Sequence, residues 1–307
     1  MFVLRRPLFS AVTDWSHWMD QPRLADPTPK MANGSTPILA NGPTPTLAMH
    51  GPFRRLRSLP GLHYQAFLRQ LHQRLGPIRY LEIGTQLGES LRHAHGRAVA
   101  IDPGFRLDVA QWRTRAELSL HETTSDAYFA GHDPREHLKG PIDVAFIDGM
   151  HLSDYVLRDF IAVERFCSRH SIVILHDALP VNYEMTERDR QPSKRRDREL
   201  AASWTGDVWR VLPELMRLRP DLRIEVLDCP PTGLVVVRNV DSTSDVLGHA
   251  ASGLVRRFMA SEPSEEAFWA FVSGVRLTNS RTWLVDNAQA LDRLQRTSMA
   301  GRRARAA

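Results

Sequence analysis

The chain has 307 residues, of which 42% are hydrophobic and 24% are charged, and its formal net charge is +5. These proportions are typical of globular proteins and exclude global disorder, and the length suits one large domain or two small ones. The sequence has no run of about 18 apolar residues, which excludes a membrane span. Its two cysteines exclude a disulfide scaffold. The positive charge permits an acidic partner without requiring one.

Residues 1–52 are predicted to form a disordered or loosely docked tail. The stretch PTPKMANGSTPILANGPTPT within them is dense in Pro, Gly, Thr and Asn, and such a segment buries too little apolar surface to offset the entropy of ordering it. The first residues, MFVLRRPLFSAVTDW, make a poor secretory signal because their apolar run is short and ends at Asp14. We therefore expect a cytoplasmic protein.

The ordered part is predicted to begin near Leu62. HYQAFLRQLHQRLG has apolar residues at helical spacing and predicts a helix that Gly76-Pro77 ends. Further helices are predicted at QLGESLRHA and at residues 152–170. Apolar runs predict strands at residues 78–84, 97–103, 116–123, 142–149 and 171–178. Strands that are apolar on both faces and alternate with helices indicate a parallel sheet covered on both sides.

The second half of the chain is predicted to complete this sheet. A basic stretch at 186–199 is predicted to be a mobile loop, and the tryptophans of WTGDVWR (204–210) either wall a substrate pocket or pack in the core. A helix is predicted at 206–218. The strands predicted at 222–228 and 232–238 are joined too closely to be parallel, so they form an antiparallel pair.

The predicted fold class is α/β. It is a Rossmann-like doubly wound, mostly parallel seven-stranded sheet with an antiparallel terminal strand pair and helices on both faces. We expect the catalytic or binding domain to span residues 53–240, and residues 241–307 to form a helical C-terminal extension.

The motif LEIGTQLGES indicates a nucleoside ligand. Glu82 and Gly84 end the first strand, and Gly88 is predicted to open a helix whose free N–H groups face the carboxyl edge of the sheet. Ligands of doubly wound sheets bind at this edge. Asp102 ends the second strand, where an acid can accept hydrogen bonds from ribose hydroxyls.

Two further motifs place candidate catalytic and metal-binding residues at the same edge of the sheet. FIDGMH contains Asp148 and His151 after the fourth strand, and LHDA contains Asp177 after the fifth. A carboxylate suits Mg²⁺, and a neutral histidine can accept a proton from a hydroxyl near pH 7. Two carboxylates that converge repel each other unless a cation or a proton lies between them. Each residue alone is better explained as a cap or a surface residue, and only the coincidence of three motifs favours a functional role.

The pattern Glu-x-Gly-x-x-x-Gly differs from the dinucleotide fingerprint G-x-G-x-x-G. It resembles motif I of class I S-adenosylmethionine methyltransferases. The fuller form Leu-Glu-Ile-Gly-Thr-x-x-Gly-x-Ser resembles catechol-type O-methyltransferases and their bacterial relatives, macrocin O-methyltransferase and cephalosporin hydroxylase-like proteins, over roughly residues 60–240. This resemblance implies that S-adenosyl-L-methionine is the cofactor. The residues implied to hold it are Glu82, Gly84, Thr85, Gly88, Ser90, Asp102, Ser125 and Asp126.

The same resemblance implies a divalent metal, Mg²⁺ in the simplest case. Catechol-type enzymes hold it with an Asp after strand four and an Asp-Asn pair after strand five. Asp148 and Asp177 match the aspartates, whereas the Asn falls on Ala178. In the cephalosporin hydroxylase-like relatives the strand-five pair is acidic, and its first member falls on His176, a ligand that favours softer ions than Mg²⁺. The implied metal ligands are therefore Asp148, His176 and Asp177.

The family's general base is a Lys that falls on His151. This replacement keeps a proton acceptor and lowers its ordinary pKa from about 10.4 to about 6.5. The expected function is S-adenosylmethionine-dependent, metal-assisted O-methylation of a small hydroxylated molecule, with a sugar or glycosylated metabolite suggested by the resemblance alone. Asp148 and His151 are the expected catalytic residues, and a homo-oligomer is left open.

Three alternatives remain at this stage. The basic charge suggests a nucleic-acid methyltransferase, but Ile-Asp-Gly-Met stands where amino-methylating members have (Asp/Asn)-Pro-Pro-(Tyr/Phe), and no stripe of aromatic and basic residues is visible. A nicotinamide-dependent oxidoreductase is disfavoured by the glycine spacing. A non-catalytic protein that binds cofactor or partner is kept open by the departure at Ala178.

Overall fold

The protein is described by a computed structural model, which covers residues 42–50, 53–57, 59–108, 112 and 117–303. The strands are β1 (Leu47–His50), β2 (Phe53–Leu56), β3 (Tyr80–Ile83), β4 (Ala98–Asp102), β5 (Leu118–Glu122), β6 (Ile142–Ile147), β7 (Cys167–His176), β8 (Arg223–Leu227), β9 (Leu234–Arg238) and β10 (Leu277–Thr278). The helices are α1 (Tyr64–Leu75), α2 (Ser125–Gly131), α3 (Pro134–Leu138), α4 (Ser153–Glu164), α5 (Val211–Leu218), α6 (Val246–Ala260), α7 (Glu265–Gly274), α8 (Trp283–Asp286) and α9 (Ala288–Arg303).

The main sheet has the strand order β10-β8-β9-β7-β6-β3-β4-β5. Strands β3 to β7 are parallel, and β9 runs antiparallel to both β7 and β8. Strands β3, β4 and β6 are buried along their whole length, as expected where helices cover both faces. The α/β class and the antiparallel terminal pair are therefore confirmed.

The sheet has eight strands, so the predicted count of seven is wrong. The additional strand is β10, which pairs with β8 in parallel through Leu277 and Thr278. It lies within residues 241–307, which were predicted to be helical. Two residues are too short a run to show the alternation by which strands are detected in a sequence.

Each face of the sheet carries its own hydrophobic core. On β3, Leu81 and Ile83 belong to one core and Tyr80 to the other, because successive side chains of a strand point to opposite faces. Helices α4 to α7 pack on the first core, and α1 and α9 pack on the second. Within the described ranges, no helix combines the length and the apolar character that crossing a membrane requires.

The helix predicted at QLGESLRHA does not form in this described stretch. Gln86 and Gly88 have positive φ values of 43° and 73°, which interrupt a right-handed helix. The Gly88 N–H instead closes a turn on the Thr85 carbonyl, and only a 3₁₀ turn follows at Leu91–His93.

The helix predicted at 152–170 is too long. Helix α4 ends at Glu164, and β7 begins at Cys167, four residues before the predicted strand. Cys167 pairs with Ile142 across an irregular register, and the Ile142 N–H donates to the Phe166 carbonyl. Pairing with the sheet therefore overrides the helical pattern of these residues.

The basic stretch 186–199, predicted to be a mobile loop, is instead anchored. The Arg188 guanidinium lies 2.5 Å from Asp154 and 2.7 Å from Asp207, and Arg195 is buried beside Glu187. Two 3₁₀ turns, Pro192–Lys194 and Arg198–Leu200, shape the rest. Most of the charged side chains that suggested a solvated loop instead form ion pairs within the protein.

A two-stranded hairpin, β1 and β2, precedes the main domain. The Leu56 N–H donates to the Val181 carbonyl, and the Arg55 side chain contacts Asp197. Strand β1 lies inside the predicted tail of residues 1–52, whose first 41 residues lie outside the described part. The division into a tail, a domain and an extension stays a prediction.

Candidate active site

Asp148 and Asp177 meet at the carboxyl edge of the sheet. They directly follow β6 and β7, which are parallel neighbours, so the predicted convergence is observed. The end of β3 reaches the same place, where Gly84 has a φ of 87° and a side-chain carbon on it would lie 2.0 Å from the Asp148 carbonyl oxygen. Only glycine permits this approach.

His151 completes a compact group with the two carboxylates. Its Nδ1 atom lies 2.6 Å from Oδ2 of Asp177, and its Nε2 atom lies 3.8 Å from Oδ1 of Asp148. One donor atom from each of the three residues lies within 4.8 Å of the others. The spacing of Asp148 and His151 in the sequence therefore corresponds to a real cluster in space.

His176 lies between the carboxylates. Its Nδ1 atom is 3.1 Å from Oδ1 of Asp148 and 3.3 Å from Oδ1 of Asp177. The side chain is 8% exposed, and its Nε2 atom has no hydrogen-bond partner among the described residues. The Tyr64 ring packs 4.2 Å from the His176 ring, measured between centroids. His176 thus bridges both acids from a buried position.

The charges in this cluster compensate one another. Burial lowers the pKa of His176, but Asp148 and Asp177 outweigh it and hold that pKa well above its usual value. Burial also lowers the pKa of His151, but the same two carboxylates outweigh burial, so the pKa of His151 lies above its usual value. For Asp177, burial raises the pKa, but His176 and His151 bring it far below the usual range. In the protein alone, the carboxylates and the imidazoles therefore favour each other's charged forms. A cation bound by the carboxylates would favour the neutral imidazoles instead.

The donor set fits a divalent cation. Two carboxylates and an imidazole offer oxygen and nitrogen ligands of the kind that Mg²⁺, Mn²⁺ and related ions accept. The three residues whose donor atoms converge are Asp148, His151 and Asp177. The resemblance instead implied His176 as the histidine ligand beside the two aspartates. Both histidines contact the acids, so the assignment of metal ligands stays a prediction.

Motif I places two polar residues, Glu82 and Thr85, in buried positions. Glu82 is fully buried, and its Oε2 accepts a hydrogen bond of 2.6 Å from the Tyr80 hydroxyl. Burial raises the pKa of Glu82 to about 7. Oε1 of Glu82 and the buried hydroxyl of Thr85 make no well-formed hydrogen bond among the described residues, although Thr85 and Ser90 lie close enough to the Glu82 carboxyl to lower its pKa. Unpartnered buried polar atoms are rare, and these lie beside the edge where a ligand is expected.

Asp102 holds two loops at this edge. Its Oδ2 accepts from the Gln86 N–H at 2.9 Å, and its Oδ1 accepts from the Gly104 N–H at 2.7 Å. Gly88 packs against the Trp112 ring, 3.0 Å from where a side-chain carbon would be. Each carboxylate oxygen of Asp102 keeps further lone pairs, so ribose recognition by Asp102 stays a prediction.

Ser125 and Asp126 lie in the first turn of α2 and face α4. Asp126 pairs with Arg158 at 3.1 Å, and burial raises the pKa of Asp126. Ser125 hydrogen-bonds to Asp159, a fully buried carboxyl whose pKa burial raises to about 7. These contacts join two helices, and the predicted role of Ser125 and Asp126 at adenine is untested.

Three further residues lie beside the cluster, and one of them, Trp204, was predicted either to wall a substrate pocket or to pack in the core. The Trp204 ring lies 5.3 Å from the His151 ring, so Trp204 borders the cluster, whereas Trp209 is buried in the core. A side-chain carbon on Gly206 would lie 1.7 Å from the His151 carbonyl oxygen. Thr232 donates a hydrogen bond to Asp177. The glycine at position 206, two residues after Trp204, could have suggested a close approach of two backbone segments. Nothing in the sequence singles out Thr232.

Similarity to known proteins was found at two levels. Residues 81–178 match the family model described as a methyltransferase domain. No curated protein matches the sequence.

Several solved structures resemble the chain at low identity. The O-methyltransferase from Bacillus cereus in complex with SAH is 18% identical, with a TM-score of 0.41 over 57% of this chain and 79% of that chain. TomG from Streptomyces achromogenes, an O-methyltransferase of tomaymycin synthesis in complex with SAM, is 17% identical, with a TM-score of 0.41 over 61% and 84%. SAH-bound PaMTH1 of Podospora anserina is 16% identical, with a TM-score of 0.42 over 57% and 77%.

These structural similarities are too weak to support an argument of their own. The family match is independent of them, and it spans the segment that contains Glu82, Asp102, Asp148 and Asp177. The resemblance to methyltransferases is therefore confirmed over residues 81–178, which match the methyltransferase-domain family model.

Proposed function

We propose that the protein transfers a methyl group from S-adenosylmethionine to a hydroxyl oxygen of a small molecule, with the assistance of a divalent cation. The observation that carries this proposal is the convergence of Asp148, His151 and Asp177 beside Gly84. The methyltransferase-domain match over residues 81–178 supports the methyl-transfer part.

The cofactor would lie over the motif I turn. Gly84 and Gly88 shape this turn with positive φ values, and Oε1 of Glu82 and the Thr85 hydroxyl are buried there without a well-formed hydrogen bond among the described residues. Asp102 and Ser90 stand beside them, both buried. A bound cofactor would supply the missing hydrogen-bond partners, which is the physical reason for placing it here.

His151 is the residue best placed to accept the proton. Its side chain is 25% exposed, whereas His176 is 8% exposed, so His151 can reach an acceptor molecule. Asp177 holds Nδ1 of His151 at 2.6 Å, which leaves Nε2 for the proton of the hydroxyl. The hydroxyl oxygen then bonds to the methyl carbon as the bond from that carbon to sulfur breaks, and positioning contributes much of the rate.

Asp148 and Asp177 would hold the cation, with His176 as the third donor. A bound divalent cation lowers the pKa of a hydroxyl that contacts it. The Trp204 and Tyr64 rings, each packed on one histidine of the cluster, would border the acceptor. The resemblance of the sequence to small-molecule O-methyltransferases supports a small molecule as the acceptor.

The decisive experiment is calorimetric titration of the purified protein with S-adenosylmethionine, with Mg²⁺ present and again after chelation. We expect micromolar binding in both conditions, and a heat that changes when the metal is removed. Absence of binding by folded protein would contradict the proposal, and nicotinamide cofactors would be titrated next.

The metal part is tested by Asp148→Ala. We expect this variant to lose turnover of hydroxylated acceptors while its affinity for S-adenosylmethionine stays within a few-fold of wild type. Asp189→Ala, which removes a carboxylate from the exposed part of the 186–199 loop, is the matched control and should retain turnover. Normal turnover in Asp148→Ala would contradict a role for the cation.

A further inference from the structure

We propose that Thr232 is a positioning residue of the active site, which fixes the carboxylate of Asp177 in the orientation that a divalent cation requires. This inference rests on the proposed function, because it concerns the same cation. Thr232 lies 55 residues after Asp177 in the sequence, in the turn between β8 and β9.

The contact is short and buried. The Thr232 hydroxyl donates to Oδ1 of Asp177 at 2.6 Å, and Thr232 is 3% exposed. The Thr232 carbonyl also accepts the N–H of Leu179 at 2.8 Å. The turn is therefore joined to the segment after β7 through both its backbone and its side chain.

The turn is shaped for this approach. Gly233, the next residue, has a φ of 72°, and a side-chain carbon on it would lie 2.8 Å from the Cβ atom of Leu179. The Gly233 N–H closes the turn on the carbonyl of Cys229. Glycine at this position lets Thr232 come within hydrogen-bond distance of Asp177.

The hydroxyl determines how the carboxylate is turned. Rotation of an aspartate carboxylate about its Cβ–Cγ bond has broad minima, so the carboxylate needs neighbours to fix it. Thr232 holds Oδ1, which keeps Oδ2 at 2.6 Å from Nδ1 of His151. Without the hydroxyl, the remaining side-chain contact of Oδ1 among the described residues is His176, at 3.3 Å.

The expected effect follows from the behaviour of groups that orient metal ligands. Loss of such a hydrogen bond typically weakens metal binding by about 10- to 100-fold. The cofactor atoms are expected over the motif I turn, on the far side of Asp148 in sheet order, so the affinity for S-adenosylmethionine should change little.

The test compares Mn²⁺ affinity among four full-length proteins: wild type, Thr232→Val, Thr232→Ser and Thr186→Val. Free Mn²⁺ is measured by electron paramagnetic resonance, with the metal alone as the probe. Thr186→Val is the matched control, because Thr186 is also buried but donates its hydroxyl to the Tyr183 carbonyl at 2.8 Å. S-adenosylmethionine affinity is measured on the same samples.

We expect Thr232→Val to bind Mn²⁺ about 10- to 100-fold more weakly than wild type. Thr232→Ser, which keeps the hydroxyl, and Thr186→Val should stay close to wild type. Unchanged Mn²⁺ affinity in Thr232→Val would overturn the inference. So would an equal loss in Thr186→Val, or an equal loss of S-adenosylmethionine affinity, because either result indicates a general structural role.

A wild-type protein that binds no Mn²⁺ overturns this inference together with the metal part of the proposed function. Methyl transfer itself is then judged separately, by whether the same sample binds S-adenosylmethionine. The two failures are thus distinguishable in one set of measurements.

Discussion

Oδ2 of Asp177 lies 2.6 Å from Nδ1 of His151, and both residues have left-handed backbone conformations, with φ values of 56° and 58°. Residues other than glycine rarely adopt this region, and they keep it where the surrounding structure holds them there. The bends after β6 and after β7 turn these two side chains toward each other. The pair therefore joins the ends of two neighbouring strands at the proposed site of chemistry.

The two histidines are expected to have separate roles. His151→Asn should lower kcat by at least about 100-fold, because the proton acceptor is lost, while Mn²⁺ affinity stays within a few-fold. Asn suits the position because it tolerates a positive φ. His176→Ala should instead weaken Mn²⁺ binding about tenfold or more. The opposite pattern in steady-state kinetics and metal titration would identify His151 as the ligand and would contradict the proposed division.

Gly206→Ala is expected to destabilise the protein and abolish turnover. The added carbon would lie 1.7 Å from the His151 carbonyl oxygen, at a residue with a φ of 55°, so the segment that carries Trp204 must move away from His151. The free energy of unfolding in urea should fall by at least about 1 kcal/mol. In the control Gly253→Ala, within α6, the new carbon meets no atom within 4 Å. That variant should be stabilised by about 0.5–1 kcal/mol, and a similar result for Gly206→Ala would refute the close approach.

Asp143→Ala tests a buried ion pair that joins the start of β3, β6 and α9. Asp143 accepts from the Arg79 side chain at 2.6 and 2.9 Å and from the Ser298 hydroxyl at 2.7 Å. Removing the carboxylate leaves a buried guanidinium unpaired, so we expect a loss of about 3–5 kcal/mol in the free energy of unfolding. Arg217→Ala, which breaks an exposed pair with Glu214, should cost less than about 1 kcal/mol. Equal losses in the two variants would show that burial does not determine the cost.

Asp159 is expected to make stability depend on pH. Burial raises its pKa to about 7 from an ordinary value of 3.8. Its contribution to stability is therefore complete only well below pH 3.8, where the carboxyl is protonated in both the folded and the unfolded state. It is lost as the pH rises to 7, because the unfolded chain releases the proton first.

The measurement is denaturant unfolding at several pH values. The stability of wild type relative to Asp159→Asn should fall by up to about 4 kcal/mol between pH 4 and pH 7. Asp245→Asn, a change at an exposed residue, should leave the pH profile unaltered. A difference between wild type and Asp159→Asn that is constant with pH would contradict the buried, raised pKa.

Much of the sheet could be predicted because its strands are buried on both faces. Runs such as IDVAFI are buried throughout and contain a single polar residue, Asp143, so their apolar character is visible in the linear sequence. The helix predicted after Gly84 fails for a local reason, since the positive φ values of Gln86 and Gly88 depend on the turn that Asp102 holds. A turn stabilised by a residue 16 positions away leaves no periodic pattern.

The candidate site was predictable where its residues lie close in sequence. Asp148 and His151 are separated by three positions, and strand order brings Asp177 beside them. Thr232 and Tyr64 could not be found in this way. Their contacts with Asp177 and His176 depend on how a distant turn and a helix pack against the sheet, which no local pattern records.

Strand β10 has a consequence for how the chain can be divided. It covers the carboxyl end of β8, where four of five residues are buried, and the Leu277 N–H also donates to the Pro43 carbonyl. A chain cut after residue 240 would leave β8 as a bare apolar edge, which is a template for pairing with other chains. The pairing of β10 thus covers an edge of β8 that could otherwise pair with a second chain, and a fragment that keeps this edge covered would need to extend at least to Thr278.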